Sequence, residues 1–405
     1  MFWRLVQLLL PILSPSWLER HRVRRARASK AVEPLKVDGI PRLLVDVTMI
    51  ARNDVHTGIQ RVVRSVMRQM TLEPRGWIIT PVRYTAGRYR HTAWPLVDTE
   101  EGLAMSPRSG DVFLGLDLSF DAIRRQRGPF MRYRRAGMRF WFVVYDLLPI
   151  QAPRYFSAKV AVRFRWWLTA TAMLADGYLC ISPHVAEEVG SMLSRRYRVR
   201  DGVAVCVLPM GIDLLSDTAR VATGAVPLQE VDTFVLAVGT IEPRKGYDVL
   251  IDAFERLWEN GSDLTLVIVG GAGWKTDTLQ RRIRQNKEYG ARLRWLTTVD
   301  DQALLDLYDR ARALVATSYG EGFGLPVLEA LARSCPVLAR DIPAFRVHAS
   351  LGVRLFAANA NGDEIARAIS AIVQDSENIW RLGTPTALPT WRDTSEALQR
   401  SIPRE

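Results

Sequence analysis

The chain has 405 residues, which is enough for two or three domains. Its composition is 48% hydrophobic and 24% charged, which is ordinary for a globular protein and excludes a wholly disordered or fibrous chain. The formal net charge is +12, but residues 1–200 have a net charge of +17 and residues 201–405 one of −5. Either the first half faces an anionic partner, such as phospholipid, a lipid pyrophosphate or nucleic acid, or its basic side chains are simply solvated.

The N-terminal segment is apolar and then basic. Residues 1–13 are mostly apolar, but they fall short of the roughly 20 residues that a membrane-spanning helix needs. Trp17 and a basic stretch follow, consisting of Arg20, Arg22, Arg24, Arg25, Arg27 and Lys30. This pattern favours residues 1–40 as an arm that anchors at an anionic membrane interface. One alternative is a disordered basic arm. A secretory signal is disfavoured, because no small-residue cleavage site precedes the basic stretch.

From residue 42 onward, short apolar runs alternate with segments of helical period, which is typical of parallel sheets covered by helices. Strands are predicted in the first domain at 43–47, 77–82, 112–116, 140–145, 177–181 and 203–208. Helices are predicted there at 58–70, 157–174 and 183–193. The polar stretch 212–231 has no clear period and predicts an interdomain linker.

The alternation then starts again. Strands are predicted at 234–238, 264–269, 293–296, 313–316 and 336–339, and helices at 247–258, 275–284, 301–310, 325–332 and 364–373. We therefore predict an α/β protein with two doubly wound, Rossmann-like domains, 41–211 and 232–386, facing a shared cleft. The remaining segment, 387–405, is predicted to form a helix that returns to the first domain.

Residues 321–329, with the sequence Glu-Gly-Phe-Gly-Leu-Pro-Val-Leu-Glu, follow a predicted strand and open a helix. Free backbone N–H groups and the positive end of the helix dipole make such a turn a receptor for a diphosphate or for sugar hydroxyls. Glu321 and Glu329 would place two carboxylates, which accept hydrogen bonds from hydroxyls, beside one ligand. Alone, each of these residues would be an ordinary turn or helix residue, but the whole block is more specific.

A second block, residues 238–246, follows the first strand of the second domain and contains Arg244 and Lys245. At that place, cations can neutralise the charge that develops on a departing diphosphate. Two basic residues in a loop are commonly just solvated. Their predicted position opposite Glu321 in the sheet favours the functional interpretation.

With these blocks, and with residues 336–346, the sequence resembles the retaining GT-B glycosyltransferases of family 4. In the first domain, residues 46–48 and 54–64 resemble the acceptor-side loop and helix of bacterial O-antigen and exopolysaccharide mannosyl- or rhamnosyltransferases. The resemblance implies that Glu321 contacts the donor sugar, that Glu329 contacts the ribose, and that Arg244 and Lys245 stabilise the leaving nucleoside diphosphate. It further implies donor-binding roles for a set of backbone and side-chain positions, namely Gly239, Gly322, Phe323, Gly324, Leu325, Gly58, Tyr145 and Asp146.

Two departures from the family pattern stand out. Thr240 follows Gly239 where related enzymes carry an arginine, and Tyr145 precedes Asp146 where they carry a histidine. A phenol donates a hydrogen bond but is no base at neutral pH. Tyr145 is therefore either a sugar contact or a core aromatic at the end of a strand.

The sequence predicts neither a metal site nor disulfides. It has no Asp-x-Asp motif for a metal-bound nucleotide sugar, and three of its histidines, His56, His184 and His348, lie far apart. The cysteines, Cys180, Cys206 and Cys335, lie in separate apolar runs and are predicted to be reduced core residues.

The resemblance implies a metal-independent hexosyltransferase without a cofactor, whose donor is a nucleotide-diphosphate sugar, with GDP-mannose favoured. The implied acceptor is a lipid-linked oligosaccharide at the inner face of the cytoplasmic membrane. The alternatives are a nucleotide-sugar epimerase or hydrolase of the same fold and an inactive scaffold subunit of a polysaccharide assembly complex. Nucleic acid is not an expected partner, because no basic motif interleaved with aromatic residues occurs.

Overall fold

The computed structural model describes residues 2–13, 16–28, 39–54, 57–95, 102–212, 233–375 and 388–404. The chain divides into two compact units. Unit 1 comprises Met1–Gly211 and Thr390–Glu405, and unit 2 comprises Ile212–Pro389. Residues 213–231 of the predicted linker, and the predicted boundary at 386, lie outside the described residues.

Unit 1 is built on a seven-stranded sheet of order β3-β2-β1-β4-β5-β6-β7. Its strands are β1 (Arg42–Asp46), β2 (Ile78–Thr85), β3 (Arg88–His91), β4 (Val112–Gly115), β5 (Arg139–Val144), β6 (Gly177–Cys180) and β7 (Ala204–Val207). The six predicted strands are all present and pair in parallel. Only β3, which the sequence did not predict, pairs antiparallel, at the edge of the sheet.

Unit 1 also contains α-helices. They are α1 (Phe2–Leu13), α2 (Ser16–Ala28), α3 (Thr48–Arg52), α4 (Gly58–Leu72), α5 (Phe120–Arg135), α6 (Leu148–Gln151), α7 (Ala158–Leu174), α8 (Pro183–Ser191) and α15 (Trp391–Ser401). A π-helical turn, Met192–Tyr197, continues α8. The C-terminal helix α15 packs against α4.

The N-terminal segment is helical and ordered against unit 1, so the alternative of a disordered arm is wrong for residues 2–13 and 16–28. Both α1 and α2 pack on α7. Glu19 of α2 is only 2% exposed and is bonded by Arg165 and Arg196 at 2.8 and 2.7 Å. None of the helices in the described part of the chain is both long and apolar enough to cross a membrane.

Unit 2 has a six-stranded, all-parallel sheet of order β10-β9-β8-β11-β12-β13. Its strands are β8 (Phe234–Val238), β9 (Thr265–Val269), β10 (Leu293–Leu296), β11 (Ala313–Ala316), β12 (Val337–Arg340) and β13 (Arg354–Phe356). Its α-helices are α9 (Tyr247–Glu259), α10 (Asp277–Gln285), α11 (Asp301–Arg310), α12 (Leu325–Ala332), α13 (Pro343–Arg346) and α14 (Gly362–Asp375). Short 3₁₀ turns occur at Pro243–Lys245 and Ala349–Leu351.

The core of unit 2 lies on both faces of this sheet. Along β8, Val235 and Ala237 join one buried cluster, while Phe234 and Leu236 join the other. This alternation is the two-residue period of a strand that is covered on both sides. The strand order reverses between β8 and β11, and ligands of open α/β sheets bind beyond the carboxyl ends of the strands at such a point.

Candidate functional site

Two loops of unit 2 meet where the strand order reverses. One follows β8 and carries Arg244 and Lys245, and the other follows β11 and carries Glu321. The backbone N–H of Tyr319 donates to the carbonyl of Arg244 at 2.7 Å, and the hydroxyl of Thr317 donates to that of Lys245 at 2.8 Å. The two sequence blocks are therefore joined through their backbones, as their predicted positions in the sheet indicated.

Glu321 is the centre of the charged cluster. Its Oε2 accepts a hydrogen bond from Arg244 Nη1 at 2.6 Å, and its Oε1 accepts from Lys245 Nζ at 2.6 Å. The Ser318 hydroxyl donates to Oε1 at 2.7 Å. Arg244 also pairs with Glu242 at 2.6 Å, and the Glu242 carboxylate is buried. Two cations and two carboxylates thus form one chain of formal charge zero.

The charges of this cluster determine the ionisation of Glu321. Burial alone would raise the pKa of its carboxyl group. The positive charges of Arg244 and Lys245, with hydrogen bonds from Lys245 and Ser318, outweigh burial and lower that pKa to about 2. Glu321 is therefore an anion at neutral pH and an acceptor of hydrogen bonds, not a proton donor.

Gly239, the predicted donor-loop glycine, lies directly against Lys245. Its φ is +144°, which L side chains rarely adopt, and a Cβ there would stand 3.3 Å from Cε and Nζ of Lys245. Its carbonyl accepts a hydrogen bond from the hydroxyl of Tyr247 at 2.7 Å. The glycine therefore leaves room for the lysine side chain to reach Glu321.

The glycine-rich turn ends at the N-terminus of α12, as predicted. Gly324 is the N-cap with φ +88°, and a Cβ there would lie 2.5 Å from the ring of Phe345. Phe323, which precedes Gly324, contacts His348: the Nε2 atom of His348 lies 3.3 Å from the carbonyl oxygen of Phe323. The two rings also make an edge contact at 5.4 Å. Leu325 begins the helix, and Pro326 follows within its first turn.

Glu329 lies one turn further along α12 and is 3% exposed. Its Oε2 accepts a hydrogen bond from the hydroxyl of Tyr308 at 2.9 Å. The structure thus buries the second carboxylate of the block and joins it to α11. Its contact with a ribose stays a prediction.

A concave pocket of about 330 Å³, a volume that includes open solvent, lies at this place. Its lining includes the polar side chains of Lys245, Ser318 and Glu321, and also Gly324 at the start of α12. Cation, carboxylate and helix N-terminus are the groups that bind a diphosphate and sugar hydroxyls. The residues that sequence reasoning missed here are Glu242, Ser318, Tyr308 and His348. Glu242 lies in the block 238–246 that the sequence analysis singled out, whereas no motif around Tyr308 or His348 indicates that these residues belong to the site.

Three predicted donor-binding residues belong to unit 1. Gly58 is the first residue of α4, whose N-cap Thr57 forms a capping box with Gln60. Asp146 accepts a hydrogen bond from the N–H of Leu148. The roles of Gly58 and Asp146 toward a donor stay predictions.

Tyr145, the third of these residues, is 5% exposed, and its hydroxyl donates to the carbonyl of Leu116 at 2.8 Å. Of its two interpretations, the structure favours a core aromatic over a sugar contact. Its contact with a donor sugar stays a prediction.

Unit 1 also contains a buried polar cluster, of which the sequence indicated residues 46–48 but not Tyr89, Asp117 or Ser119. Asp46, at the end of β1, accepts hydrogen bonds from Tyr89 at 2.8 Å, from Ser119, and from the backbone and hydroxyl of Thr48. Burial and the nearby charge of Asp117 raise the pKa of Asp46 to about 7. Asp117 accepts from two N–H groups of α3. Together the carboxylates fix the short helix α3 beyond the carboxyl ends of β1 and β4.

Within the described residues, no group of three or more His, Cys, Asp and Glu side chains is placed to hold a metal ion. His56 lies outside these residues. All three cysteines are free, and burial raises the pKa of Cys180 and of Cys335 to about 12.

Residues 224–384 match the family described as Glycosyl transferases group 1, so this family covers most of unit 2. Serotype-specific mannosyltransferase WbdA of Escherichia coli is 33% identical over 390 residues, which cover 89% of this chain and 45% of WbdA. O-antigen chain mannosyltransferase RfbU of Salmonella typhimurium is 28% identical over 50% of this chain and 52% of RfbU. The chain thus spans about half the length of the curated relatives that it matches.

The structure of Anabaena Alr3699/HepE in complex with UDP and glucose superposes with a TM-score of 0.57. The match covers 89% of this chain and 95% of HepE at 16% identity, so it bears on the fold alone. It confirms the predicted GT-B fold of two α/β domains. The predicted resemblance to O-antigen mannosyltransferases is confirmed as well.

Proposed function

We propose that this chain, whose unit 2 matches the group 1 glycosyl transferases, transfers a hexose from a nucleotide-diphosphate sugar to a polysaccharide acceptor. The observation that carries the proposal is the pairing of Glu321 with Arg244 and Lys245 beside the N-terminus of α12. This arrangement offers an anion for sugar hydroxyls and two cations for a diphosphate. Two of the matched relatives, WbdA and RfbU, are mannosyltransferases by name, which supports mannose as the sugar and GDP-mannose as the donor.

In the proposed reaction, the donor diphosphate competes with Glu321 for the two cations. Lys245, with its mobile ammonium group, turns toward the phosphates, while Arg244 stays oriented by Glu242. The negative charge that builds up on the leaving diphosphate then meets cations and the helix N-terminus in place of water. Glu321 keeps the sugar oriented through its hydroxyls. We propose that this charge neutralisation needs neither a bound metal nor a cofactor, so transfer should persist in EDTA.

The proposed acceptor is a lipid-linked oligosaccharide, and the proposed location is the inner face of the cytoplasmic membrane. RfbU acts on the O-antigen chain by its name, which supports a cell-surface glycan as the product. The excess of basic residues in the first half of the chain supports a membrane surface as the working place.

The test is donor binding followed by transfer. GDP, UDP, ADP and dTDP are compared by thermal shift, and a ligand at 100 times its dissociation constant should stabilise by about 2.7 kcal/mol. GDP-mannose is then incubated with the full chain, with and without a lipid-linked mannan acceptor. We expect GDP to stabilise, and mannose to move to the acceptor.

Two variants sharpen this test. Lys245→Ala should lower transfer at least a hundredfold, because it removes a cation from the leaving group. Lys287→Ala, which changes an exposed lysine of the same unit, is the matched control and should retain activity. Release of free mannose without transfer would favour the hydrolase, and the absence of any nucleotide binding would favour the scaffold subunit.

A further inference from the structure

The helical pair α1 and α2 forms an outer layer on unit 1. Trp3 of α1 meets Trp166 of α7 in an edge contact at 6.0 Å. Arg27 of α2 donates to the carbonyls of Ala175 and Gly202 at 2.8 and 2.6 Å. These contacts, with the buried carboxylate of Glu19, fix which side of each helix faces α7 and which side is left outside.

The outer side of α1 is a row of apolar side chains. Phe2, Leu5 and Leu9 are 68, 55 and 38% exposed. At 100° per residue the three fall within a sector of about 60°, whose centre lies about 130° from the half-buried Trp3 and about 70° from the half-buried Val6. Three large apolar side chains in a row are unusual on a surface that meets only water.

The outer side of α2 is basic and carries one tryptophan. Trp17 is 63% exposed, and Arg24 and Arg25 are exposed near it on the same side of the helix. The opposite side holds the buried Glu19 and Val23. Both outer sides therefore point away from α7, so apolar and basic groups face outward from one layer.

We propose that α1 and α2 dock unit 1 on an anionic lipid bilayer, with α1 lying in the plane of the interface. The row of Phe2, Leu5 and Leu9 would enter the boundary between head groups and acyl chains. Trp17 would lie at head-group level, where indole rings concentrate. Arg24 and Arg25 would pair with lipid phosphates. A helix of 12 residues is too short to span the bilayer, and lying along the bilayer surface uses the apolar row that α1 exposes among its described side chains.

The charge pattern argues for an anionic bilayer over another protein. A second copy of this chain would bring like charges together at Arg24 and Arg25, whereas anionic head groups complement them. The docking does not depend on the sugar nucleotide, so it stands or falls separately from the proposed transfer reaction.

The test uses the full chain and sedimentation with vesicles of phosphatidylcholine alone or with one third phosphatidylglycerol. We expect clear binding to the anionic vesicles, weak binding to the neutral ones, and loss of binding at high salt. Arg24→Gln/Arg25→Gln should weaken binding to anionic vesicles about thirtyfold, because each substitution removes one basic side chain that faces the lipid phosphates. Leu5→Ser/Leu9→Ser should weaken it about tenfold or more, because both substitutions remove apolar surface that would enter the bilayer.

Two control pairs match these variants in chemistry. Arg68→Gln/Arg367→Gln removes the same charge at exposed positions elsewhere, and Leu72→Ser/Ile78→Ser removes exposed apolar side chains elsewhere on unit 1. Both pairs should bind vesicles as the unmodified chain does.

Three results would overturn the proposal. The first is equal binding of the unmodified chain to both kinds of vesicle, or none to either. The second is a loss of binding in the control pairs as large as in the test pairs. The third is a dimer by light scattering that Leu5→Ser/Leu9→Ser converts to monomer, which would show that a second copy covers the apolar row. The thermal shift by GDP should be the same in all variants, and this readout separates docking from donor binding.

Discussion

Replacement of Glu321 by glutamine tests whether the charged cluster stabilises unit 2. Glutamine keeps the size of the side chain but removes the charge that faces Arg244 and Lys245. The pKa of Glu321 falls from its ordinary 4.5 to about 2 in the folded chain. A pKa difference of that size corresponds to about 3 kcal/mol of folding free energy. The stabilisation is complete above pH 5 and is lost as the pH falls toward 2, because a lowered carboxyl pKa favours the folded state only while the carboxylate is ionised.

Hydrogen exchange followed by mass spectrometry, on peptides from β8 and β11, measures this effect within unit 2. Glu321→Gln should lower the opening free energy by about 3 kcal/mol at pH 7, and the difference from the unmodified chain should shrink at lower pH. The control is Asp309→Asn, which breaks an ion pair with Arg333 whose two side chains are 39 and 41% exposed. Such a pair contributes less than about 1 kcal/mol. A loss in Glu321→Gln no larger than in the control would refute the reasoning.

Glu321→Gln should destabilise unit 2 but strengthen the binding of GDP. With Glu321 neutral, Arg244 and Lys245 lose their competing anion, so GDP should bind more tightly than it does to the unmodified chain. GDP-mannose should gain less, because its sugar loses the carboxylate that orients it. Isothermal titration with both ligands measures the two affinities, and weaker GDP binding in the variant would contradict the proposed competition.

Three further substitutions have expected outcomes of their own. Gly324→Ala should cost about 1–3 kcal/mol and weaken GDP binding, because φ is +88° and the new Cβ meets Phe345; urea unfolding and titration measure both effects. Tyr308→Phe should cost about 1–3 kcal/mol by removing a donor to the buried Glu329, and an unchanged urea midpoint would contradict this. As the pH rises from 5 to 8, the unfolding free energy of Asp46→Asn should increase by about 2–3 kcal/mol relative to that of the unmodified chain. A raised carboxyl pKa means that the folded chain must release a proton over that range, so a constant difference in urea unfolding would refute it.

The strands of both sheets could be predicted from the sequence because buried parallel strands are short apolar runs. The exceptions have physical reasons. Strand β3 lies at an edge and contains Arg88 and Arg90, so it shows no apolar run. Helix α5 went unpredicted because it is rich in arginine and has Gly128-Pro129 inside it, which favours a break. Strand β13 has only three residues.

The sequence predicts the part of the candidate site whose residues lie within short blocks at strand ends. Arg244, Lys245 and Glu321 stand in two blocks at strand ends, and parallel strands bring such ends to one edge of the sheet. His348 and Tyr308 come from other elements, and only the folded chain shows which carbonyl or carboxylate they meet. Tyr145 stands at a strand end as well, but its pattern did not indicate whether the side chain points into the core.

The ion pairs show where the excess basic residues of the first half of the chain lie in the structure. In unit 2, Arg282 of helix α10 pairs with two acidic residues, Asp252 and Glu255. In unit 1, part of the excess is used inside the fold, where Arg165 and Arg196 together neutralise Glu19. Fixing α2 through that carboxylate leaves Arg24 and Arg25 outward on the same side as the exposed Trp17. An interior ion-pair cluster thus sets the orientation of a surface layer, and Glu19→Gln should therefore weaken vesicle binding although the residue itself is buried.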